Sequence, residues 1–407
     1  MSITNIMSKV YIVAAKRTAI GKFLGTLTPV AAADLAAGVI KNIIEETKID
    51  ASKLDEVVVG NILMAGQKQG IARQASIKAG VPQEVPAYGI NMICGSGMKT
   101  INLAYANIKS GEANMIIAGG TENMSAAGFV MPGGVRTGHK MMDIKTVDHM
   151  VCDGLTDAFE GYHMGITAEN IAAKYSLTRE DQDAFAFASQ QKAMAAQDAG
   201  HFKNEIVPVE IKSRRETIVF DADEFINRRT SEEKLTGLRP AFKKDGTVTA
   251  GNASGINDGA AFVLVASEEA VKEHNLTPLA EIVATGQGGV DPAIMGMGPV
   301  PAIASALKKA DMKLTDMEVL ELNEAFAAQS LGVVKQLCED HGVAPEFFQE
   351  RNNVNGGAIA LGHPIGASGT RITVSLIHEM KRTNKQFGLA SLCIGGGMGT
   401  ALILKNV

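Results

Sequence analysis

The stretch CGSGMKTINLA, residues 94 to 104, is answered late in the chain by GASGTRITVSL, residues 366 to 376. Each is followed by a helical pattern, a short apolar strand and glycines, MIIAGG at 115 to 120 and LCIGGG at 392 to 397. Working outward, KIDASKLDEVVVGN (48 to 61) is echoed by KADMKLTDMEVLELN (309 to 323), and YIVAAKRTAIG (11 to 21) by EIVATGQGGVD (281 to 291). Three matches in one order mean that the chain repeats itself, which decides the fold because each copy is one packing unit. Both copies alternate strands with helical stretches such as AADLAAGVIKNIIEE (32 to 46) and AIASALKKA (302 to 310), the pattern of an α/β unit around a sheet. Runs such as VVVG and MIIAGG lack polar alternation and suit strands covered on both faces.

Residues 122 to 250 break this pattern and read as an insertion rich in methionine, glycine and charge. Within it, LTREDQDAFAFASQQKAMAAQDAG (177 to 200) reads as a helix with Thr178 as N-cap and Asp181 at the third position. The strand-like GAAFVLVASEEA (259 to 270) is expected to return the chain to the first half. The expected organisation is a first half of residues 1–121 and 251–272, an inserted loop domain of 122–250, and a second half of 273–407.

At 407 residues the chain exceeds one ordinary core. A hydrophobic share of 46 % with 20 % charged residues is that of a soluble globular protein, and a net charge of −5 offers no field for nucleic acid. The four cysteines, at 94, 152, 338 and 393, show neither metal-ligand spacing nor a disulfide framework. The opening MSITNIMSKVYIV lacks the layout of a signal segment, and no uncharged apolar run of about 18 residues follows, so a cytoplasmic protein without membrane spans is expected.

In open α/β sheets ligands gather beyond the carboxyl ends of strands, where helix N-termini present free N–H groups. Cys94 falls at such a strand-to-helix turn, where the helix N-terminus is expected to lower the thiol pKa and flanking glycines admit a bulky substrate. The plainer reading is a small buried cysteine at a tight turn. His363, in GGAIALGHPIGASG (356 to 369), stands at the corresponding junction of the second copy and suits a general base for a thiol. A second cysteine, Cys393, ends a strand before three glycines in LCIGGGMG. In NEAFAAQ, Asn323 ends a strand and is read either as the N-cap of a following helix or as an amide donor to an oxyanion. Its repeat partner Asn61 reads as a cap. The methionines at 124, 131, 141, 142, 150 and 164 are either core filler or the lining of a tunnel for a thin substrate. Neither GQGGVD nor GGGMG has dinucleotide-site spacing, and no phosphate-loop motif is present.

Taken together, NMICGSG, AGGTENMS (118 to 125), GNASGINDGAA (251 to 261), NEAFA, GGAIALGHPIGASG and CIGGGMG resemble the motifs of the thiolase family, over residues 9 to 405. The resemblance implies a duplicated five-layered αβαβα fold with an inserted loop domain, usually as a dimer or dimer of dimers. It implies joining of two acetyl-CoA molecules into acetoacetyl-CoA and CoA, or the reverse, with coenzyme A thioesters as substrates and neither metal nor other cofactor. By motif position Cys94 is the acyl-accepting nucleophile, His363 activates it, and Cys393 is acid and base at the second substrate's α-carbon. Asn323, through a water, and His363 stabilise the enolate oxygen, while the N–H groups of Cys94 and Gly395 form the other oxyanion hole. Leu155, His163, Met164, Phe242, Ser254, Met295 and Phe326 face the pantetheine.

There are departures from the family pattern. Met92 replaces a longer basic or polar residue. Asn227 falls where an arginine often lies near the adenine, leaving Arg228 or Arg229 to substitute. Residues 339–351 exceed the first copy's spacing and are expected to form a surface loop. His163 before Met164 favours short acyl groups. The alternatives are a broader-chain 3-ketoacyl-CoA thiolase of fatty-acid degradation, a non-catalytic acyl-CoA or lipid carrier on the same fold, and a decarboxylating ketoacyl synthase, which would carry histidine or asparagine in place of Cys393.

Overall fold

The computed structural model describes residues 9–212 and 216–407; residues 1–8, which include most of the opening segment discussed above, lie outside the described residues. Nine strands carry the architecture: β1 Val10–Thr18, β2 Glu56–Gly60, β3 Ala87–Ile90, β4 Met115–Asn123, β5 Asn257–Ser267, β6 Ala280–Gly289, β7 Val319–Leu322, β8 Phe387–Ile394 and β9 Met398–Asn406. Their order is β7-β8-β9-β6-β1-β5-β4-β2-β3, and two short strands, Gly21–Lys22 and Ile206–Val207, pair onto β5 and β1. The duplication is visible in this order. β1, β5, β4 and β2 have β6, β9, β8 and β7 as counterparts, with antiparallel pairing in the first two steps and parallel pairing in the third in both copies. Even the irregularity repeats, since the register slips between Ile12 and Ala14 in β1 and between Ile282 and Ala284 in β6. The fifth strand does not repeat: the counterpart of β3 shrinks to a single bridge between Leu320 and Asn352.

Among the described residues the two sheets touch edge to edge only at Tyr11–Glu281 and Ile12–Ala280, so they hinge over one another there. Side chains alternate across each strand, and every strand therefore feeds two cores. Between the sheets, Val58, Ile116, Val263, Ala390, Leu392 and Leu402 pack on helices α2, Ser96–Ser110, and α7, Ser368–Thr383. The outer face of the first sheet, through Val57, Val59, Ile117 and Phe262, is covered by α1, Ala32–Thr47. The outer face of the second, through Leu320, Leu389 and Ile403, is covered by α5, Pro299–Ala310, and α6, Ala327–His341. The result is five layers, helix–sheet–helix–sheet–helix. β4 and β5 are buried along their entire length, as their unbroken apolar runs require.

Two glycines let the central helices meet. A Cβ on Gly97 would lie 2.9 Å from Thr370 N, and one on Gly369 would lie 2.5 Å from Met98 N. The repeated turn, Cys-Gly-Ser-Gly in the first copy and Gly-Ala-Ser-Gly in the second, thus sets the distance between the copies as well as opening each helix.

In the insertion, α3, Met164–Tyr175, precedes α4, Arg179–Asp198, which begins with the expected capping box: Thr178 N donates to Asp181 Oδ2 at 2.9 Å and Asp181 N to Thr178 Oγ1 at 3.1 Å. Two expectations need correction. Residues 339–351 are not a plain surface loop, because Glu346–Arg351 is helical and Phe348 is buried in the outer core of the second half. Asn323 caps no helix, since β7 ends at Leu322 and α6 starts at Ala327. Asn61 likewise stands ten residues before the next helix, Ile71–Lys78, and its amide bonds Thr121 O and Glu122 Oε1 instead. The methionines divide: Met124, Met150 and Met164 are buried, and Met131, Met141 and Met142 are exposed.

Candidate active site

The turn before α2 is built under strain. Ile93 takes φ +45°, a left-handed conformation that a β-branched residue enters at a cost of about 1–3 kcal/mol. Ser96 holds the turn, its Oγ accepting from Met92 N at 2.8 Å and donating to Ile93 O at 2.7 Å. This throws the Cys94 side chain toward the second copy. There the N–H of Gly395 points at its sulfur, as does its own N–H, and Cys393, 1 % exposed, is close enough for Cys94 to disfavour its ionisation. The carboxyl end of β8 and the turn before α2 therefore share one site, and the two N–H groups expected to bind an oxyanion converge on Cys94.

The expected acidic thiol is not what this environment makes. Burial outweighs the N–H dipoles and pushes Cys94 up to about 11, and burial together with Cys94 pushes Cys393 higher still. Local sequence shows the helix terminus but not the desolvation around it. Cys94 therefore rests as a neutral thiol, and a part as nucleophile would call for a base.

His363 has the form of that base. Gly362, at φ +108°, turns the chain, and His363 N donates to Asn257 Oδ1 at 2.9 Å. Ser368 Oγ lies 2.6 Å from His363 Nδ1 and gives its own hydrogen to Pro364 O at 2.8 Å. With that hydrogen spent, Nδ1 must carry the imidazole proton and Nε2 is left as the free lone pair. Nε2 is buried and has no hydrogen-bond partner among the described residues. Burial, aided by the positive charge of Arg371, lowers His363 to about 3, so the ring is neutral. Asn323, 1 % exposed, is anchored by its N–H to Ser391 O at 3.0 Å, and its Nδ2 is likewise without a partner while Arg371 approaches its Oδ1 at 3.5 Å.

The substrate-facing candidates fall in two adjoining apolar clusters. Met164, Met295, Phe326 and Phe242 gather with Cys393, and Leu155 gathers with Cys94, Leu63, Met124, Met150 and Ile365. His163 stacks on Phe242 at 4.5 Å, which in turn meets Phe326 edge-on at 6.2 Å. Ser254 N donates to Ala325 O at 3.0 Å, which draws the glycine-rich loop at 251–257 against the segment carrying Asn323. Of the two arginines proposed to replace one at 227, Arg228 is engaged by Asp198 and Gln197 at 2.7 Å, and Arg229 makes no ion pair among the described residues. A cavity of about 760 Å³ opens elsewhere, between α4 and α6, lined by Leu177, Phe185, Val334 and Phe348 with Glu324 among its polar groups; none of the proposed site residues lines it. The candidate residues converge away from this cavity.

Three supporting residues escaped the sequence reading. Glu122, wholly buried, accepts from Asn61 Nδ2, Ile62 N, Leu63 N and Gly366 N, and so clamps a loop of the first copy to the His363 loop of the second. Burial raises its carboxyl to about 7 against the pull of these donors. Asn257 joins Gly21 O to His363 N, and Ser368 selects the tautomer. A carboxylate closing a wholly apolar strand was the available signal for Glu122, and a serine five residues past the histidine for Ser368.

The chain matches the family model of the thiolase N-terminal domain over residues 10–269 and that of the thiolase C-terminal domain over 276–406. It is 54 % identical to an acetyl-CoA acetyltransferase of Pseudomonas aeruginosa over 98 % of this chain and all of that one, and 53 % identical, with the same coverage, to a probable acetyl-CoA acyltransferase of Staphylococcus aureus. Among solved structures, the acetyl-CoA acetyltransferase of Bacillus anthracis superposes with a TM-score of 0.94 at 44 % identity, covering 99 % of this chain and all of that one. Human mitochondrial 3-ketoacyl-CoA thiolase gives 0.93 at 44 % identity with the same coverage. From the duplicated five-layered fold to the sulfur-bearing junctions of its two copies, the chain belongs to the thiolase family.

Proposed function

We propose that the protein is an acetyl-CoA C-acetyltransferase that joins two acetyl-CoA molecules reversibly through an acetyl-Cys94 intermediate. The observation that carries this reading is the meeting of Cys94, Cys393 and the Gly395 N–H at one point, with the unpartnered lone pair of His363 on the neighbouring loop. Cys94 sulfur attacks the thioester carbonyl as its proton passes to His363 Nε2, and the oxyanion is received by the Cys94 and Gly395 N–H groups. The departing CoA sulfur takes the proton of Cys393, a poor acid in water terms but adjacent to the thiolate being expelled. Cys393 is thereby left as a strong base for the α-proton of the second acetyl-CoA. Its enolate oxygen is held by the protonated His363 and by a water that Asn323 binds, and the carbanion attacks acetyl-Cys94. Expulsion of Cys94 sulfur with return of the His363 proton restores the starting state, so every proton is accounted for. The raised affinities of both thiols for their protons suit this cycle, because each proton leaves only when a reacting sulfur or base takes it. CoA serves as carrier, and the chemistry calls on no metal or redox group.

Mass measurement of the Cys94 peptide after acetyl-CoA is added, and after CoA is then supplied, tests this. Acetyl gained and then released is expected, with acetoacetyl-CoA formed on continued turnover; no adduct would leave only the carrier reading. Cleavage rates along a 3-ketoacyl-CoA series distinguish the broader-chain alternative, which equal or faster rates on long chains would favour.

The same reading includes assembly. Residues 125–145 carry Phe129, Met131, Met141 and Met142 at 70, 55, 79 and 84 % exposure around a short hairpin, an apolar surface of the kind that copies of a chain cover for one another. Light scattering that returns a single-chain mass would remove this assembly. A cytoplasmic location fits four free cysteines, and no described helix is long and apolar enough to cross a membrane.

A further inference from the structure

A charged residue that the mechanism above leaves unused lies behind its oxyanion donors. Arg371, in the central helix α7, is 2 % exposed. Its Nη1 is 3.6 Å from Glu321 Oε2 and its Nη2 is 3.5 Å from Asn323 Oδ1, while Nε and Nη1 have no hydrogen-bond partner among the described residues. Glu321 and Asn323 stand two residues apart at the end of β7, so both face the same layer. A guanidinium has donors and no acceptor, so the atom that Asn323 turns toward it has to be oxygen. The amide nitrogen is then directed away, and Nδ2 is the atom found buried and unpartnered.

We propose that Arg371 is a positioning residue for the condensation step: anchored in the interior beside Glu321, it holds Asn323 by Oδ1 and so presents Nδ2 as the donor that holds the water facing the second substrate's enolate oxygen. Without it the amide has no fixed polarity, and a flip would offer that water an acceptor and turn its hydrogens away from the developing anion. The proposal rests on the role given to Asn323 under the proposed function. The repeat shows that the position is special to the second copy, because Lys99, the counterpart of Arg371 in CGSGMKTINLA, reaches Gln287 Oε1 at 3.2 Å near the surface. The charged groups that act on Arg371 are Glu321 from β7, Glu324 from the segment after it, Arg17 from β1 and Glu205 from the insertion. Arg371 in turn disfavours the imidazolium form of His363.

The test compares Arg371→Lys, which keeps the charge without the fork, with the double variant Arg371→Gln/Glu321→Gln, which removes the guanidinium together with the carboxyl group nearest it. Acetylation of Cys94 by acetyl-CoA and acetoacetyl-CoA formation are measured separately as functions of pH. Both variants are expected to lose condensation by roughly 10- to 100-fold, less than the roughly 100- to 1000-fold of deleting an oxyanion donor because Asn323 is loosened and not removed, while acetylation at pH 8 stays within about threefold. In the double variant alone, the acid limb of the acetylation profile is expected to move to higher pH. Equal loss of both steps, or loss of neither, overturns the proposal. Asn323→Ala, run beside them, separates the two readings: if it spares condensation, the role of Asn323 itself is wrong, whereas its loss with intact Arg371 variants removes Arg371 alone.

Discussion

The two copies of the strand–turn–helix unit have the same backbone plan and carry different side chains on it. In the first, Ser96 closes the turn onto Met92 N and Ile93 O, and Cys94 emerges from its strained bend. In the second, Ser368, in the place of Ser96, closes the turn onto Pro364 O and uses its remaining capacity on His363 Nδ1. One serine supports a backbone that aims a sulfur. The other supports a backbone and also chooses which nitrogen of an imidazole stays unprotonated. On the proposed function a duplicated scaffold thus supplies nucleophile and base from equivalent junctions, and the difference lies in what the shared serine faces.

The sharpest way to break this comparison is at the sulfur atoms. Cys94→Ser is expected to lower acetyl transfer by about four orders of magnitude or more, whereas Cys393→Ser still acetylates Cys94, more slowly because the departing CoA sulfur has lost its proton donor, and loses condensation, read by intact-protein mass and product formation. Condensation surviving in the second variant would remove Cys393 as the base. Next come the serines. Ser368→Ala is expected to lower kcat by roughly 10- to 100-fold with little change in melting temperature, because the tautomer is no longer selected. Ser96→Ala is expected to act mainly on stability, by about 1–2 kcal/mol, since it removes turn hydrogen bonds. Equal effects on kcat would mean that the two serines are merely structural.

Glu122 sharpens the comparison at the seam between the copies. Its carboxyl titrates near 7 in the folded protein against a usual 4.5. A raised folded value means that its contribution is fully present below about pH 4.5 and is lost as pH rises through 7. Glu122→Gln should therefore flatten stability across that window, by up to about 3 kcal/mol, as read from urea midpoints at a series of pH values. The smallest effect lies outside both junctions. Thr178→Ala removes the capping box of α4 and is expected to cost about 1 kcal/mol without altering catalysis.

Much of this was legible in the sequence because repeats and turn glycines are local signals. The three paired segments foretold the two copies, and the apolar runs foretold strands buried on both faces. The electrostatics were not legible. A helix start beside Cys94 pointed to an acidic thiol, but the clusters around Leu63, Met150 and Cys393 come from remote segments and remove the water that an acidic thiol needs. Asn323 read as a cap by residue preference, although the chain runs four more positions before α6 begins. Glu122 and Asn257 act across the two copies, and nothing in their neighbours in sequence says what they reach.

The placement of β5 has a consequence for how the protein comes into being. This strand fills the slot between β1 and β4, yet the whole insertion precedes it in the chain. A ribosome that has released the first 250 residues has therefore exposed a sheet with its middle missing, two apolar edges open to any passing strand. Closure waits for Ser267 to clear the exit tunnel, and the yield of active enzyme should depend on how well that interval is chaperoned.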